Sequence, residues 1–168
     1  MNRPHLARSL ALALWLALGA LLAGCTQPRN IPVGMVGADV LRSLGAPTAR
    51  YPGPDGAGER LQYSSEPGGQ TVYNIDLGAD GRVIRVEQAL REPVFGERIR
   101  PDVWTTADAL REYGKPAYIM GVHNFVGDIW VWRYMDGQTY RLLFIDVDPG
   151  GVVRGWSCGD EPMPDDSN

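Results

Sequence analysis

The chain of 168 residues has only two cysteines and two histidines, and it lacks the short motifs in which such residues usually carry chemistry. There is no Gly-x-Ser-x-Gly segment, no His-Glu-x-x-His segment and no glycine motif of the kind that cradles phosphate. His123 is the one histidine beyond the first 24 residues. The carboxylates lie scattered in turns and caps or gathered near the C-terminus, not paired as glycoside hydrolysis requires. Asp146 and Asp148 fall together, but the Pro-Gly-Gly that follows fits a hairpin better than a calcium loop. The expectation is no catalytic residue, no metal and no cofactor. Basic residues are also in deficit, with 16 Lys and Arg against 20 Asp and Glu and a formal net charge of −4. That balance argues against a nucleic-acid partner.

No apolar run is long enough to cross a bilayer comfortably. The longest, Leu10 to Ala20, follows Arg3 and Arg8 and is followed by small residues, which is the order of a cleaved export signal. The segment Leu22-Ala-Gly-Cys25 resembles the lipobox of bacterial lipoproteins. The resemblance implies that residues 1–24 are removed and that Cys25, the new first residue, carries a diacylglyceryl thioether. Each buried methylene of such chains contributes about 0.8 kcal/mol, so a multiply acylated Cys25 holds a protein durably on a membrane. Thr26, where an Asp would signal inner-membrane retention in this class, favours the periplasmic face of the outer membrane. With Cys25 taken by lipid, Cys158 has no thiol partner in the chain. It reads as a small hydrophobe after Trp156, or as a thiol available for an intermolecular disulfide.

The remainder of the chain is duplicated. Asp39-Val-Leu-Arg-Ser-Leu-Gly-Ala-Pro47 recurs as Asp108-Ala-Leu-Arg-Glu-Tyr-Gly-Lys-Pro116, with Asp, Leu, Arg, Gly and Pro in the same places. In each copy a short apolar stripe (Val40, Leu41, Leu44; Ala109, Leu110, Tyr113) predicts a helix. Asp39 or Gly37 caps the first and Thr105 or Thr106 the second, and Gly45-x-Pro47 and Gly114-x-Pro116 stop them. Three alternating runs follow in each: 60–64, 71–77 and 83–87, then 129–134, 139–147 and 152–156. Turn signals such as Ala79-Asp-Gly81 and Asp148-Pro-Gly-Gly151 separate them. The predicted fold class is α+β, two tandem helix-plus-antiparallel-meander units with the helices on one face of the sheet and the other face open. The boundaries are 25–30 for the lipidated Cys and tether, 31–90 for the first repeat, 91–104 for a linker, 105–158 for the second repeat and 159–168 for a disordered acidic tail.

Ile31-Pro-Val-Gly34-Met35, Val40, Leu44-Gly45, Pro47, Leu61-Gln-Tyr63, Tyr73 to Leu77 and Gly81-Arg-Val83 resemble the SmpA/OmlA (BamE-like) domain, the family of small lipoproteins of the outer-membrane β-barrel assembly machinery. The second unit departs from the pattern, with Arg98-Ile-Arg-Pro101 and Trp104 where the Gly-Met element would stand. Two such units in tandem also resemble the β-lactamase inhibitory protein fold. The resemblance implies a scaffold that binds protein in envelope maintenance, with an accessory role in barrel-protein assembly as its most specific form. The alternative it implies is an inhibitor-like protein that holds a periplasmic hydrolase in the concavity between its lobes.

Alternation assigns Leu61 and Tyr63 the places of Trp132 and Tyr134 on the helix-facing side. It leaves Val72, Asn74 and Asp76 on the open face of the first sheet, and Tyr140, Leu142 and Phe144 on that of the second. The latter three are either covered by the linker or the other lobe, or form an aromatic patch for a protein partner. Trp130 belongs to the core row with Trp132 or sits at its solvent end. Loop residues His123 and Phe125 complete the candidate partner-binding set.

Overall fold

The computed structural model describes residues 26–54 and 56–162. The export signal, Cys25 and residues 163–168 of the expected tail lie outside the described residues. Among the described residues no helix is long and apolar enough to cross a membrane.

A 3-10 turn at Pro28–Asn30 leads into helix α1 (Gly37–Leu44) and a sheet of β1 (Ala49–Pro52), β2 (Glu59–Ser64), β3 (Val72–Leu77) and β4 (Val83–Gln88). Helices α2 (Glu92–Arg98) and α3 (Thr106–Tyr113) follow, then a second sheet of β5 (Tyr118–Met120), β6 (Asp128–Asp136), β7 (Thr139–Val147) and β8 (Val153–Asp160). Both sheets are antiparallel and run in chain order, β1-β2-β3-β4 and β5-β6-β7-β8. The expected α+β fold of two helix-plus-meander units is therefore corrected: the molecule is dominated by two four-stranded sheets. Each meander has a leading edge strand that alternation missed. The helices have only seven or eight residues each. The segment read as a linker carries α2, and the last strand runs two residues into the segment read as a tail.

The duplication reaches into details of geometry. Both sheets shift register at the same place, between Asp76 and Leu77 and between Asp146 and Val147. Isolated bridges Val36↔Arg82 and Thr105↔Val152 tie each helix start to its own sheet. Gly45 and Gly114 end their helices at φ 79° and 70°, where a side chain would be strained. In each unit an aromatic donates to that glycine's carbonyl: Tyr63 Oη to Gly45 O at 3.1 Å and Trp132 Nε1 to Gly114 O at 3.2 Å. Tyr63 thus corresponds to Trp132, two residues from the equivalence that alternation assigned. The misreading arose because β6 is three residues longer than β2, so aligning strand ends displaces the pairs. Trp130 joins the core row, its ring 6.1 Å from Trp132.

The helix ends differ. Asp108 accepts from the Thr105 backbone N–H and hydroxyl, both at 2.8 Å, and so holds the first turn of α3. The N-cap of α1 is Val36, which has no side chain to offer.

On one face of the first sheet, Val40 of α1 is buried against Leu61, Ile75, Leu77 and Val83, with Leu41 and Leu44 alongside. Each such side chain contributes roughly 1.5–3 kcal/mol. The other face, expected to be open, is covered by α3. That helix is shared, since its apolar side, Ala109 and Tyr113, packs with Phe95 of α2 on Trp132, Tyr134, Leu143 and Ile145 of the second sheet. The layers run α1, first sheet, α2 with α3, second sheet.

A polar joint and an exposed rim

The last carbonyls of a helix have no partner within it. The first sheet supplies partners for those of α3, from residues that alternate like a solvent face. Tyr51 Oη donates to Leu110 O at 3.2 Å, Gln62 Nε2 to Arg111 O at 3.1 Å and Asn74 Nδ2 to Glu112 O at 2.9 Å. Between them Gln62 also donates to the Asn74 side-chain oxygen. Beside this row lies a chain of ions. Asp76 accepts from Arg60 Nε at 2.7 Å, Arg60 Nη1 reaches Glu112 at 2.8 Å, and Glu112 and Glu87 are both paired with Arg98 of α2. Burial works against the Arg60 cation, but the Asp76 and Glu112 carboxylates outweigh it and hold its pKa above the usual arginine value. Two arginines thereby meet the negative end of the α3 dipole. The space between the two sheets is occupied by α2 and α3. Clefts of about 340 Å³ beside Tyr51, Gln62 and Glu66, and about 460 Å³ beside Pro54, Arg100 and Trp104, flank the joint.

Glu66 fastens the joint at its edge. Its Oε1 accepts from the Arg133 backbone N–H at 2.7 Å, a strand-edge group left free because β5 begins only at Tyr118, opposite Val131. Its other oxygen is buried without a hydrogen-bond partner. Burial pushes the Glu66 carboxyl up to about 7, against the pull of the Arg133 N–H and guanidinium, with Glu161 adding repulsion.

The same face of the second sheet is built differently. By register, Ile129, Val131 and Phe144 stand where Arg60, Gln62 and Asn74 stand in the first. Among the described residues no helix covers them. Ile129, Val131 and Leu142 form a small apolar cluster that Phe125, folded back from loop 121–127, packs against together with Met120 and Phe144. Of the residues expected to make an aromatic patch there, Leu142 is only 3 % exposed and Phe144 half-buried, while Tyr140 is exposed. Tyr140 lines an open cleft of about 540 Å³ with Pro67, Arg133, Glu161 and Pro162. Trp130 faces the other side. The candidate residues are thus dispersed: Phe125 is a plug, and His123 lies exposed on the loop that carries it.

No protein-family profile matches the chain, and no curated protein matches it. One solved structure, a DUF4309 family protein (YjgB) from Bacillus subtilis, aligns over 82 % of this chain and 83 % of its own at 17 % identity. Its TM-score is 0.27, and a likeness that weak carries no argument about fold or function.

Sequence patterning missed a distinct set of residues. Val33, Ile84, Val103, Val122 and Val126 are exposed, Val103 at 66 % and Val126 at 82 %. All five lie at one end of the two sheets. Val33 adjoins Gly34, whose N–H donates to Val83 O, and Ile84 follows Val83 in β4. Asp102, beside Val103, donates through its N–H to Val153 O. Gly127, which ends the loop of Val122 and Val126, sits against Val147. The four valines and Ile84 fall in separate loops and a strand start at no regular spacing, so no periodicity marks the group. Among the described residues no group of three or more His, Cys, Asp or Glu side chains could hold a metal ion.

Proposed function

We propose that the protein is a non-catalytic binding module of the cell envelope. It is anchored by lipid on Cys25 to the periplasmic face of the outer membrane, and its partner is a protein, not nucleic acid. The observation that carries the reading is the aliphatic rim of Val33, Ile84, Val103, Val122 and Val126 on a frame whose two units are locked by a buried polar joint. Exposed apolar side chains gathered at one end of a rigid scaffold are what a protein interface uses at its centre. His123, on the same loop, makes no side-chain hydrogen bond among the described residues and adds a polar group to the rim. The most specific form of the proposal is an accessory role in barrel-protein assembly within outer-membrane maintenance.

The test is quantitative capture of envelope proteins by the tagged, lipidated protein and by a Val122→Ser/Val126→Ser variant. Enrichment of barrel-assembly subunits that the variant loses supports the proposal in its specific form. Capture unchanged in the variant removes the rim from it. Enrichment of a single hydrolase by both proteins favours the inhibitor-like reading instead.

A further inference from the structure

Beyond the existence of an anchor lies the question of which surface it brings to the membrane. Only Thr26 and Gln27 separate Cys25 from the turn at Pro28–Asn30. Three steps of about 3.8 Å give the lipidated residue a reach of no more than about 11 Å from Pro28. Gln27, Pro28 and Arg29 line a cleft of about 420 Å³ with Tyr63, Thr71 and Tyr73. The floor of that cleft is the start of the β2–β3 turn. The other side of the same turn, Pro67, Gly68 and Gln70, lines the cleft of Tyr140 and Pro162. One turn therefore joins the anchored end of the chain, the first sheet and the end of the second sheet that carries the β6–β7 hairpin. In the antiparallel register this end holds Ser64, Val72 and Gln88 in the first sheet and Asp136 and Thr139 in the second. The valine rim lies at the opposite end, beside residues 77–84 and 147–153.

We propose that the β2–β3 turn, with Arg29, Tyr63, Tyr73 and Tyr140 around it, is the face that lies against the lipid head groups, and that the valine rim points away from the bilayer. The inference rests on the lipidation of Cys25. The chemistry of the face suits the place. Tyrosines with an apolar ring and a polar tip favour the membrane interface, and Arg29 forms no ion pair among the described residues. Two of the acidic groups of this end are engaged, Glu161 with Arg133 at 2.6 Å and Asp160 with Arg141 at 2.7 Å, while Asp136 at the hairpin forms no ion pair among the described residues. A partner of the rim would then approach from the periplasmic side without competing with lipid.

The experiment places one fluorophore on the lipidated protein in a Cys158→Ser background, at Gly68→Cys or at Val126→Cys, in phosphatidylcholine vesicles whose head groups carry a nitroxide quencher. A side chain at Gly68 meets nothing within 4 Å, and Val126 is exposed, so neither label disturbs packing. Quenching several-fold stronger at position 68 than at 126 is the expected result, repeated by the independent pair Gln70→Cys and Val103→Cys. Equal or reversed quenching in both pairs, with lipid present on Cys25 by mass spectrometry of the N-terminal peptide, overturns the orientation and leaves the anchoring intact. An N-terminal peptide without lipid overturns the anchoring, and the orientation with it.

Discussion

The first sheet meets a helix on both faces, whereas the second meets helices on one face and its own loop on the other. The two sheets each follow a copy of one repeated segment and share strand order, register shift and the aromatic bond to the helix-ending glycine. Their faces nevertheless diverged in chemistry. Where α3 ends on the first sheet, the residues are Arg60, Gln62, Asn74 and Asp76, because exposed helix carbonyls require donors. Where no helix arrives, the equivalents are Ile129, Val131, Phe144 and Asp146, and an apolar plug is enough. Backbone architecture is kept by turns, glycines and core positions, while a face is rewritten by whatever lands on it.

The comparison can be broken most severely in the core. Trp132 is fully buried and touches the rings of Tyr113 and Trp130, whereas Tyr63, its counterpart, is half-buried. Trp132→Ala is expected to cost about 4 kcal/mol by denaturant unfolding and Tyr63→Ala less than half of that. A smaller loss at Trp132 than at Tyr63 would show that the cores are not weighted as their burial indicates.

Next in size is the joint. Asp76→Ala leaves the buried Arg60 cation short of a carboxylate and is expected to cost about 3 kcal/mol. Asp146→Ala, at the matching position of the second sheet, is expected to cost under about 1 kcal/mol. Similar losses at the two sites would mean that the faces are less distinct than their residues.

Glu66 sharpens the contrast through pH. Its folded pKa of about 7 lies above the 4.5 of a free glutamate, so the folded form binds the proton more tightly than the unfolded one. The stabilisation is full below pH 4.5 and is lost as pH rises through 7. Glu66→Gln keeps the acceptor for the Arg133 N–H and removes the buried charge. After allowance for screening at a half-exposed site, the variant is expected to gain about 1 kcal/mol over the wild type at pH 8 and nothing at pH 4. A stability difference that does not change with pH would remove Glu66 as the titrating group.

The smallest effect expected is at the helix starts. Asp108→Ala removes the reciprocal cap of α3 at about 1 kcal/mol, while Val36→Ser is expected to add about 0.5 kcal/mol to α1, which lacks such a cap. Melting curves of the two variants should shift in opposite directions.

How much of this was legible in the sequence depended on which force set each residue. Leu-Gly-x-Pro and Tyr-Gly-x-Pro marked the repeat and both helix ends because glycine and proline report backbone geometry directly. The edge strands β1 and β5 were not legible, since three or four residues containing Pro52 or flanked by glycine give alternation too little to work on. Helix α2 was hidden by Pro93 at its start and Gly96 in its middle, and it is held by Phe95 in the core instead of by propensity. The joint was least legible of all. Arg60, Gln62, Asn74 and Asp76 alternate as a wet face would, and nothing local distinguishes water from the carbonyl end of a distant helix. Of the site, the structure puts His123 and Tyr140 in exposed positions and turns Leu142 and Phe125 inward, and the four valines and Ile84 of the rim carried no pattern at all.

Loop 121–127 gives the stack a terminus. A row of units in which each helix is clasped by the preceding sheet could in principle be extended by copying the segment again, as polymers are. Here Phe125 occupies the seat a third helix would need, and Ile129 and Val131 offer no donors for its carbonyls. Growth by another copy would require the loop to be shortened and that face to regain donors together, so the number of units is written into one side chain and the ground beneath it.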